Sequence, residues 1–231
     1  MQDAVQSSPY QPKFSPGSSH AILLERLARF PKGTTILDVG TATGILGWRC
    51  QERGFSMKGI EQIKEWADMA RPFYREIFIG PLEQASAEFL SNHQIVVCAD
   101  VLEHMSDPKE QLTRLVLLQP AGSIFLISVP NVANLWVRLH LLMGRFDYAD
   151  RGILDRTHLR FFTRRTITDL VESTGLQVKC ILPTTIPLEL VHPFFTQAAV
   201  GRGIHRLLVV LTNLFPAILG YQFVLEAQKP L

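Results

Sequence analysis

Acidic side chains stand at the ends of three apolar segments in the first half of the chain. Asp38 lies near the end of TTILDVG, Glu61 ends FSMKGIE, and Asp100 ends QIVVCAD. The apolar and β-branched content of these segments is typical of buried strands. Because the carboxyl ends of parallel strands meet at one edge of a sheet, we expect the three carboxylates to line a single ligand-binding crevice.

The first of these segments runs into a short turn, GTATG, that glycine brackets on both sides. Such a turn lets backbone N–H groups approach a ligand at the start of a helix. A dinucleotide fingerprint requires glycine at its first, third and sixth positions, where this chain has Gly40, Ala42 and Ile45. The turn therefore disfavours a nicotinamide-dependent oxidoreductase, and Asp38 before it suits a ligand with a cationic amino-acid portion.

Glu61 follows Gly40 by about 20 residues, the spacing at which nucleotide-binding βαβ units place an acid on the ribose hydroxyls. A ribose contact at Glu61 and a cationic group at Asp38 belong to one kind of ligand. The carboxylates together predict a nucleoside that carries an amino-acid tail.

Two histidines are candidates for proton removal. His104 lies in VLEHM after the fourth strand, and His158 lies in the apolar frame of GILDRTHLRFFT. An imidazole with a pKa of about 6.5 can take a proton from a hydroxyl group. We expect His104 and His158 to be catalytic residues, one or the other of them the base, with loop-fixing hydrogen bonds as the alternative role for each.

Arg156 and Arg160 flank His158, and arginine forks suit phosphate and carboxylate groups. We expect Arg156, Arg160 and Tyr148 to bind the acceptor. The alternative is an ion pair between Asp155 and an arginine that shapes a lid.

Strand-like and helix-like segments alternate five times before Asn131, which predicts a parallel sheet with crossover helices on both faces. LQVKCILPTTI and YQFVLEAQK add two late strands that form an antiparallel pair. We therefore predict an α/β fold. It is a Rossmann-like, doubly wound, mainly parallel seven-stranded sheet with an antiparallel edge strand and a helical cover and insertion.

Composition and sequence pattern predict a flexible N-terminal tail over 1–17 and a single domain over 18–231. Within that domain, 131–163 is expected to be a cover segment and 188–217 a helical insertion. The apolar stretch near the end is interrupted by polar residues, which favours an interfacial or core helix over a membrane span. We therefore expect peripheral membrane contact through 190–219.

The bulk composition narrows the class of protein and its surroundings. A net charge of +2 is too small for a dedicated nucleic-acid surface, so no nucleic acid is expected as a partner. The three cysteines, Cys50, Cys98 and Cys180, form no disulfide framework and no zinc spacing, which indicates a reducing compartment. We expect a cytoplasmic protein that is peripheral to a membrane, and the sequence specifies no oligomeric state.

Four blocks of the chain, each at a predicted strand end, resemble the class I S-adenosylmethionine-dependent methyltransferases. They are LDVGTATG (37–44), GIE (59–61), CADVLEHMSDP (98–108) and AGSIFLISVPN. VLEH, SVPN, LLMGRFDY, GILDRTHLRFFT and YQF further resemble a bacterial subgroup related to ubiquinone-biosynthesis O-methyltransferases, whose members are often associated with glycan assembly. The core resemblance covers about residues 18–184.

The resemblance implies S-adenosylmethionine as the cofactor and S-adenosylhomocysteine as its product. The residues that it assigns to cofactor binding are Asp38, Gly40, Thr41, Ala42, Gly44, Glu61, Gln62, Leu82, Asp100, Val101 and Leu102. The chain departs from the family in Thr41-Ala42, where Cys-Gly is usual, and in Pro81, where an acid often lies near the adenine. Leu82 or Glu83 is expected to substitute for that acid.

The implied activity is methyl transfer to an oxygen of a small-molecule, sugar or glycan acceptor. Phosphorylated and lipid-linked acceptors are both included. The alternative is a non-catalytic cofactor-binding member of a glycan-assembly complex. Asp100, Glu103, His104 and His158 also resemble the metal-binding arrangement of small-RNA 2′-O-methyltransferases. The shorter aspartate and the missing basic surface disfavour that arrangement, so no metal ligand is expected.

Overall fold

The computed structural model describes residues 17–188 and 198–231. The predicted flexible tail lies outside the described residues apart from Gly17. Residues 189–197 of the predicted insertion also lie outside them.

Seven strands form one sheet in the order β3-β2-β1-β4-β5-β7-β6. Their bounds are β1 Thr35–Val39, β2 Ser56–Glu61, β3 Glu76–Ile79, β4 Ile95–Ala99, β5 Ile124–Pro130, β6 Gln177–Pro183 and β7 Gln222–Gln228. β1 to β5 pair in parallel, and β7 runs antiparallel to both β5 and β6. The predicted fold class is confirmed, with the late antiparallel pair at one edge and β6 outermost.

Helices connect the strands and cover both faces of the sheet. Their bounds are α1 Ser19–Leu27, α2 Ile45–Cys50, α3 Lys64–Ala70, α4 Ala87–Leu90, α5 Pro108–Leu118, α6 Leu135–Leu142, α7 Arg164–Glu172, α8 Ala199–Leu214 and α9 Pro216–Leu219. Local chemistry sets several helix starts: Ser18 caps α1, Asp107 caps α5 before Pro108, and Thr163 forms a capping box with Thr166.

Alternate residues of each central strand serve two separate hydrophobic layers. On β1, Ile36 packs with the layer that contains Leu23 of α1, whereas Leu37 packs with the layer that contains Leu112 of α5. Burying both faces explains why these strands are almost continuously apolar. Fully burying one such leucine contributes about 1.5–3 kcal/mol, so the two layers stabilise the sheet whose carboxyl edge carries the site.

The connections after the central strands converge on that carboxyl edge. α6 follows the end of β5 there. β6 ends at the same edge and β7 begins at it, because β7 runs the opposite way. α8 and α9, which connect β6 to β7, are therefore anchored beside α6. Among the described residues, no helix combines the length and apolarity needed to cross a membrane.

Candidate active site

The turn after β1 approaches its neighbours too closely for side chains. Gly40 has a φ of 78°, and a Cβ there would lie 2.6 Å from Cγ2 of Val101. Its backbone N–H donates to the carbonyl oxygen of Ile60 at 2.9 Å. Gly44 has a φ of 84°, and a Cβ there would lie 2.7 Å from the backbone of Ala70. These two positions fix the turn at the mouth of the crevice between β1, β2 and β4.

Ala42, between the two glycines, adopts the left-handed backbone conformation with a φ of 46°. This conformation costs a residue with a side chain roughly 1–2 kcal/mol. The backbone N–H of Ala42 donates to Oε2 of Glu61 at 2.8 Å, and that of Ile63 donates to Oε1 at 2.9 Å. Glu61 is thereby fixed at the end of β2, and each of its oxygens can accept a further hydrogen bond.

Asp38 is buried and bonded to a residue that sequence reasoning missed. Oη of Tyr74 donates to Oδ2 of Asp38 at 2.5 Å, and the backbone N–H of Gly47 donates to Oη of Tyr74 at 3.2 Å. A Cβ at Gly47 would lie 2.5 Å from the Tyr74 ring, so that glycine is required by the tyrosine. The glycine inside α2 was the sequence signal for this contact.

Burial raises the pKa of Asp38 to about 7, although the Tyr74 hydrogen bond lowers it and the negative charge of Glu61 raises it further. The carboxyl group therefore titrates near neutral pH.

Asp100 connects three strands of the sheet. Its φ is 55°, and the Oγ of Ser128 in β5 donates to its Oδ1 at 2.6 Å. Nε2 of Gln222 in β7 donates to Oδ2 at 2.8 Å. Both carboxylate oxygens thus bind protein groups, and neither partner was predicted from the sequence.

The remaining residues predicted to bind the cofactor take different positions. Thr41 is buried in the turn beside Gly59, and Gln62 is exposed after β2. Val101 packs against Gly40. The side chains of Leu82 and Leu102 belong to the hydrophobic core, so their backbone is what can line the crevice.

The structure brings His104 and His158 together, with ring centroids 4.8 Å apart. Nδ1 of buried His158 lies 3.1 Å from the carbonyl oxygen of Ile153. A carbonyl oxygen can only accept, so Nδ1 carries the proton and Nε2 is the basic nitrogen. Burial lowers the pKa of His158, and the neighbouring His104 lowers it further, which keeps it neutral.

A short hydrogen-bond chain orients the exposed His104. Nδ1 of His104 lies 3.2 Å from both the carbonyl oxygen and the Oγ1 of Thr157. Thr157 Oγ1 in turn donates to Oδ1 of Asp155 at 2.7 Å. Nδ1 of His104 is therefore also the donor, and Nε2 is left to accept a proton. Burial raises the pKa of Asp155, but the hydrogen bonds from Thr157 outweigh burial and hold that pKa below its usual value.

Glu103 lies beneath the two histidines and was not among the predicted catalytic residues. Its side chain is 1% exposed, and neither carboxyl oxygen has a hydrogen-bond partner. Burial raises the pKa of Glu103 well above its ordinary value, with a further contribution from the charge of Asp100. The backbone N–H groups of Leu159 and Arg160 donate to its carbonyl oxygen at 2.8 and 3.0 Å. These bonds hold the segment 152–163 against the end of β4.

The predicted acceptor-binding residues lie around this cluster. Arg160 donates to the carbonyl oxygen of Ser106, and Tyr148 is exposed with its ring 6.4 Å from that of Phe161. Arg156 forms an exposed ion pair with Asp150 at 2.7 Å. The alternative ion pair between Asp155 and an arginine is wrong, because Asp155 binds Thr157 and Arg156 binds Asp150.

The doubly wound sheet and the glycine-bracketed turn facing Glu61 define a class I S-adenosylmethionine-dependent methyltransferase. The chain belongs to the methyltransferase domain family, whose model matches residues 18–181. The cofactor of this class is S-adenosylmethionine. The open lone pairs of Glu61 and the close backbone of the turn fit its ribose and methionine portions.

Curated relatives share part of the chain. It is 27% identical over 156 residues to the ubiquinone biosynthesis O-methyltransferase of Aeromonas salmonicida (strain A449), a match covering 64% of each chain. It is 32% identical over 165 residues to the protein of the same name from Pseudomonas paraeruginosa (strain DSM 24068 / PA7), covering 66% of this chain and 68% of that one. The chain therefore spans less than two thirds of the length of the Aeromonas relative.

Solved structures share the fold over nearly the whole chain. A S-adenosylmethionine-dependent methyltransferase from Archaeoglobus fulgidus superposes with a TM-score of 0.61 at 18% identity, covering 92% of this chain and 95% of that one. The magnesium protoporphyrin IX methyltransferase of Synechocystis PCC 6803, solved with bound S-adenosylhomocysteine, gives 0.62 at 13% identity, covering 91% and 81%. At these identities the likeness shows the fold.

Proposed function

We propose that this chain methylates a hydroxyl oxygen of a small-molecule or glycan acceptor. The observation that carries the proposal is the histidine pair, in which both Nδ1 atoms contact carbonyl oxygens and both Nε2 atoms remain basic. Two basic nitrogens at the strand ends suit an acceptor that must lose a proton. The relatives named O-methyltransferase also support oxygen as the acceptor atom.

The protein's own task in such a reaction is alignment and proton removal. S-adenosylmethionine supplies a sulfonium methyl group that is already a good electrophile. Glu61 and the turn at Gly40 hold the nucleoside and the methionine portion. His104 is exposed, so it reaches an acceptor in the crevice and takes the hydroxyl proton on Nε2. His158 stays neutral behind it and avoids adding a second positive charge.

The acceptor class is inferred from the groups around the histidines. The guanidinium groups of Arg156 and Arg160 favour an acceptor with an anionic group, such as a sugar phosphate. The exposed aromatic ring of Tyr148 favours a flat or ring-shaped group beside it. The relatives named for ubiquinone biosynthesis make a quinone-type precursor the second acceptor class to test.

A second role for the same cluster is to hold a divalent cation. Glu103, His104 and His158 each offer a ligand atom, and these atoms lie within 4.8 Å of one another. The two unpaired, buried oxygens of Glu103 favour this role, and carboxylate with imidazole suits such an ion. A bound cation would lower the pKa of the acceptor hydroxyl.

Binding and transfer are tested separately. Calorimetry with S-adenosylhomocysteine and with NAD checks the cofactor, and NAD binding alone would overturn the methyltransferase proposal. Labelled S-adenosylmethionine is then incubated with nucleotide sugars, lipid-linked sugars and quinone precursors. We expect His104→Ala and His158→Ala to lose transfer while they still bind S-adenosylhomocysteine, with His140→Ala as the matched control. Equal transfer in all three variants would refute the histidine base.

The same protein distinguishes the remaining alternatives. S-adenosylhomocysteine binding without transfer to any acceptor would favour the non-catalytic role in a glycan-assembly complex. Calorimetry of the chelator-treated protein with Mg²⁺ or Mn²⁺ alone tests the cation. If the native protein binds either ion and Glu103→Gln does not, the cation site is supported. If titration of the native protein releases or absorbs no heat of binding, a site for these two ions is excluded.

A further inference from the structure

α8 and α9 present their apolar residues to the outside. Val200, Ile204, Leu207, Leu214 and Ile218 recur at helical spacing and are 39–68% exposed. A surface helix of a globular protein normally turns such a stripe toward the core. Here the polar Thr212 is buried instead, while the stripe faces away. The stripe therefore requires a partner outside the described residues of this chain.

A second exposed apolar group lies on α6, with Leu135, Trp136, Leu139, Leu142 and Met143 all 40–83% exposed. The two groups adjoin. Nδ2 of Asn134, which caps α6, donates to the carbonyl oxygens of Leu219 and Gly220 at the end of α9. We call these exposed residues of α6, α8 and α9 the apolar face.

The two stretches of chain that carry the apolar face contain basic side chains and no acidic ones. The stretches 131–146 and 198–225 contain the arginines Arg138, Arg145, Arg202 and Arg206 and no aspartate or glutamate. Basic residues beside exposed apolar side chains are typical of helices that lie in the headgroup layer of a bilayer. Each cation near an anionic surface adds about 1 kcal/mol of attraction. A second copy of this chain would instead bring arginines against arginines.

We propose that the apolar face binds an anionic lipid bilayer, with α6 and α8–α9 lying in the headgroup layer. α6, α8 and α9 attach at the carboxyl edge of the sheet, where His104 and His158 also lie. The bilayer would therefore meet the protein beside the crevice. If the proposed O-methylation holds, the acceptor that fits this arrangement is amphiphilic, with its hydroxyl group at the headgroup level and its chain in the lipid.

Co-sedimentation of the full chain with vesicles tests the bilayer. Phosphatidylcholine vesicles with and without phosphatidylglycerol are compared, and we expect binding to the anionic vesicles that weakens with salt. The double variant Leu207→Ser/Leu214→Ser should lower the partition coefficient about tenfold or more, from the lost burial of two leucine side chains. Leu117→Ser on α5 is the matched control, since Leu117 is 73% exposed and lies outside the apolar face.

Several results would overturn the proposal. One is equal binding of neutral and anionic vesicles, and another is equal loss in the Leu117→Ser control. A third is a dimer in light scattering that the double variant abolishes while vesicle binding is absent. S-adenosylhomocysteine affinity of the double variant reports on the methyltransferase site independently, and it should stay unchanged while vesicle binding falls.

Discussion

Replacing Tyr74 by phenylalanine removes a hydroxyl that donates to Oδ2 of buried Asp38. The hydrogen bond favours the charged carboxylate and opposes the effect of burial, which raises the pKa of Asp38 to about 7. Without the bond, the pKa of Asp38 should rise further. The carboxylate that is proposed to hold the cationic amino group of the cofactor would then be largely protonated at neutral pH.

The size of this effect follows from the bond. A hydrogen bond to a charged group contributes about 1.5–3 kcal/mol, and one pKa unit corresponds to about 1.4 kcal/mol. Tyr74→Phe should therefore raise the pKa of Asp38 by about one to two units. At pH 7 the affinity for S-adenosylhomocysteine should fall roughly tenfold, and most of it should return as the pH is raised.

Calorimetry with S-adenosylhomocysteine from about pH 6 to about pH 9.5 measures the midpoint, a range that covers the native value and the rise expected in the variant. The native protein should gain affinity as the pH rises through about 7, and Tyr74→Phe should show the same rise at higher pH. Tyr148→Phe removes an exposed hydroxyl and serves as the control. An unchanged midpoint in Tyr74→Phe would refute the link between this hydrogen bond and cofactor affinity.

Asp38 also affects the free energy of unfolding. This effect changes with pH in the direction opposite to that of cofactor affinity. Its folded pKa of about 7 exceeds the ordinary 3.8, so the folded protein binds more protons than the unfolded chain between these values. The contribution of Asp38 to the free energy of unfolding should therefore fall as the pH rises from about 4 to about 7. Chemical denaturation of the native protein and of Asp38→Asn over this range measures the difference in slope.

Three further predictions concern the turn and the histidines. Gly40→Ala should destabilise the fold by about 1–3 kcal/mol, because its Cβ meets Val101 in a left-handed backbone, and Val101→Ala should restore part of the loss in denaturant titrations. Thr157→Val should lower kcat with an unchanged S-adenosylhomocysteine Kd, because it removes the hydroxyl that links His104 to Asp155 while the backbone carbonyl remains; an equal loss of both would indicate a structural role. Burial lowers the pKa of His158, so its imidazole should stay neutral below about pH 6.5 in an NMR titration, and protonation of His158 already above that pH would contradict its neutral role.

Local sequence pattern was sufficient to predict the sheet and the part of the site that lies after β1 and β2. The alternation of apolar strands with amphipathic helices is short-range, so it predicted the parallel sheet before any contact was known. Gly40 and Glu61 could be predicted because their spacing reflects the geometry of one βαβ unit. His104 was expected at the site because it follows β4, whereas no local pattern placed His158 beside it.

Contacts between distant parts of the chain could not be predicted in this way. The bond from Tyr74 to Asp38 depends on how α2 and α3 pack, and sequence periodicity does not specify such packing. Arg156 pairs with Asp150 while Asp155 accepts hydrogen bonds from Thr157, and this choice of partners depends on how the loop folds. Glu103 was placed near the site, but its complete burial without partners depends on the 152–163 segment that closes over it.

The hydrogen bonds from Ser128 and Gln222 to the Asp100 carboxylate have a consequence for folding during synthesis. Gln222, which holds Oδ2 of Asp100, lies 122 residues further along the chain. Ribosomal synthesis proceeds from the N-terminus, and domains fold as their segments emerge. A nascent chain that lacks β7 can form β1 to β5. Its Asp100, which has a left-handed backbone, then keeps the hydrogen bond from Ser128 but lacks the one from Gln222. The crevice should therefore be complete only after β7 has been synthesised, and nascent chains arrested before residue 222 should bind S-adenosylhomocysteine more weakly than chains that include β7.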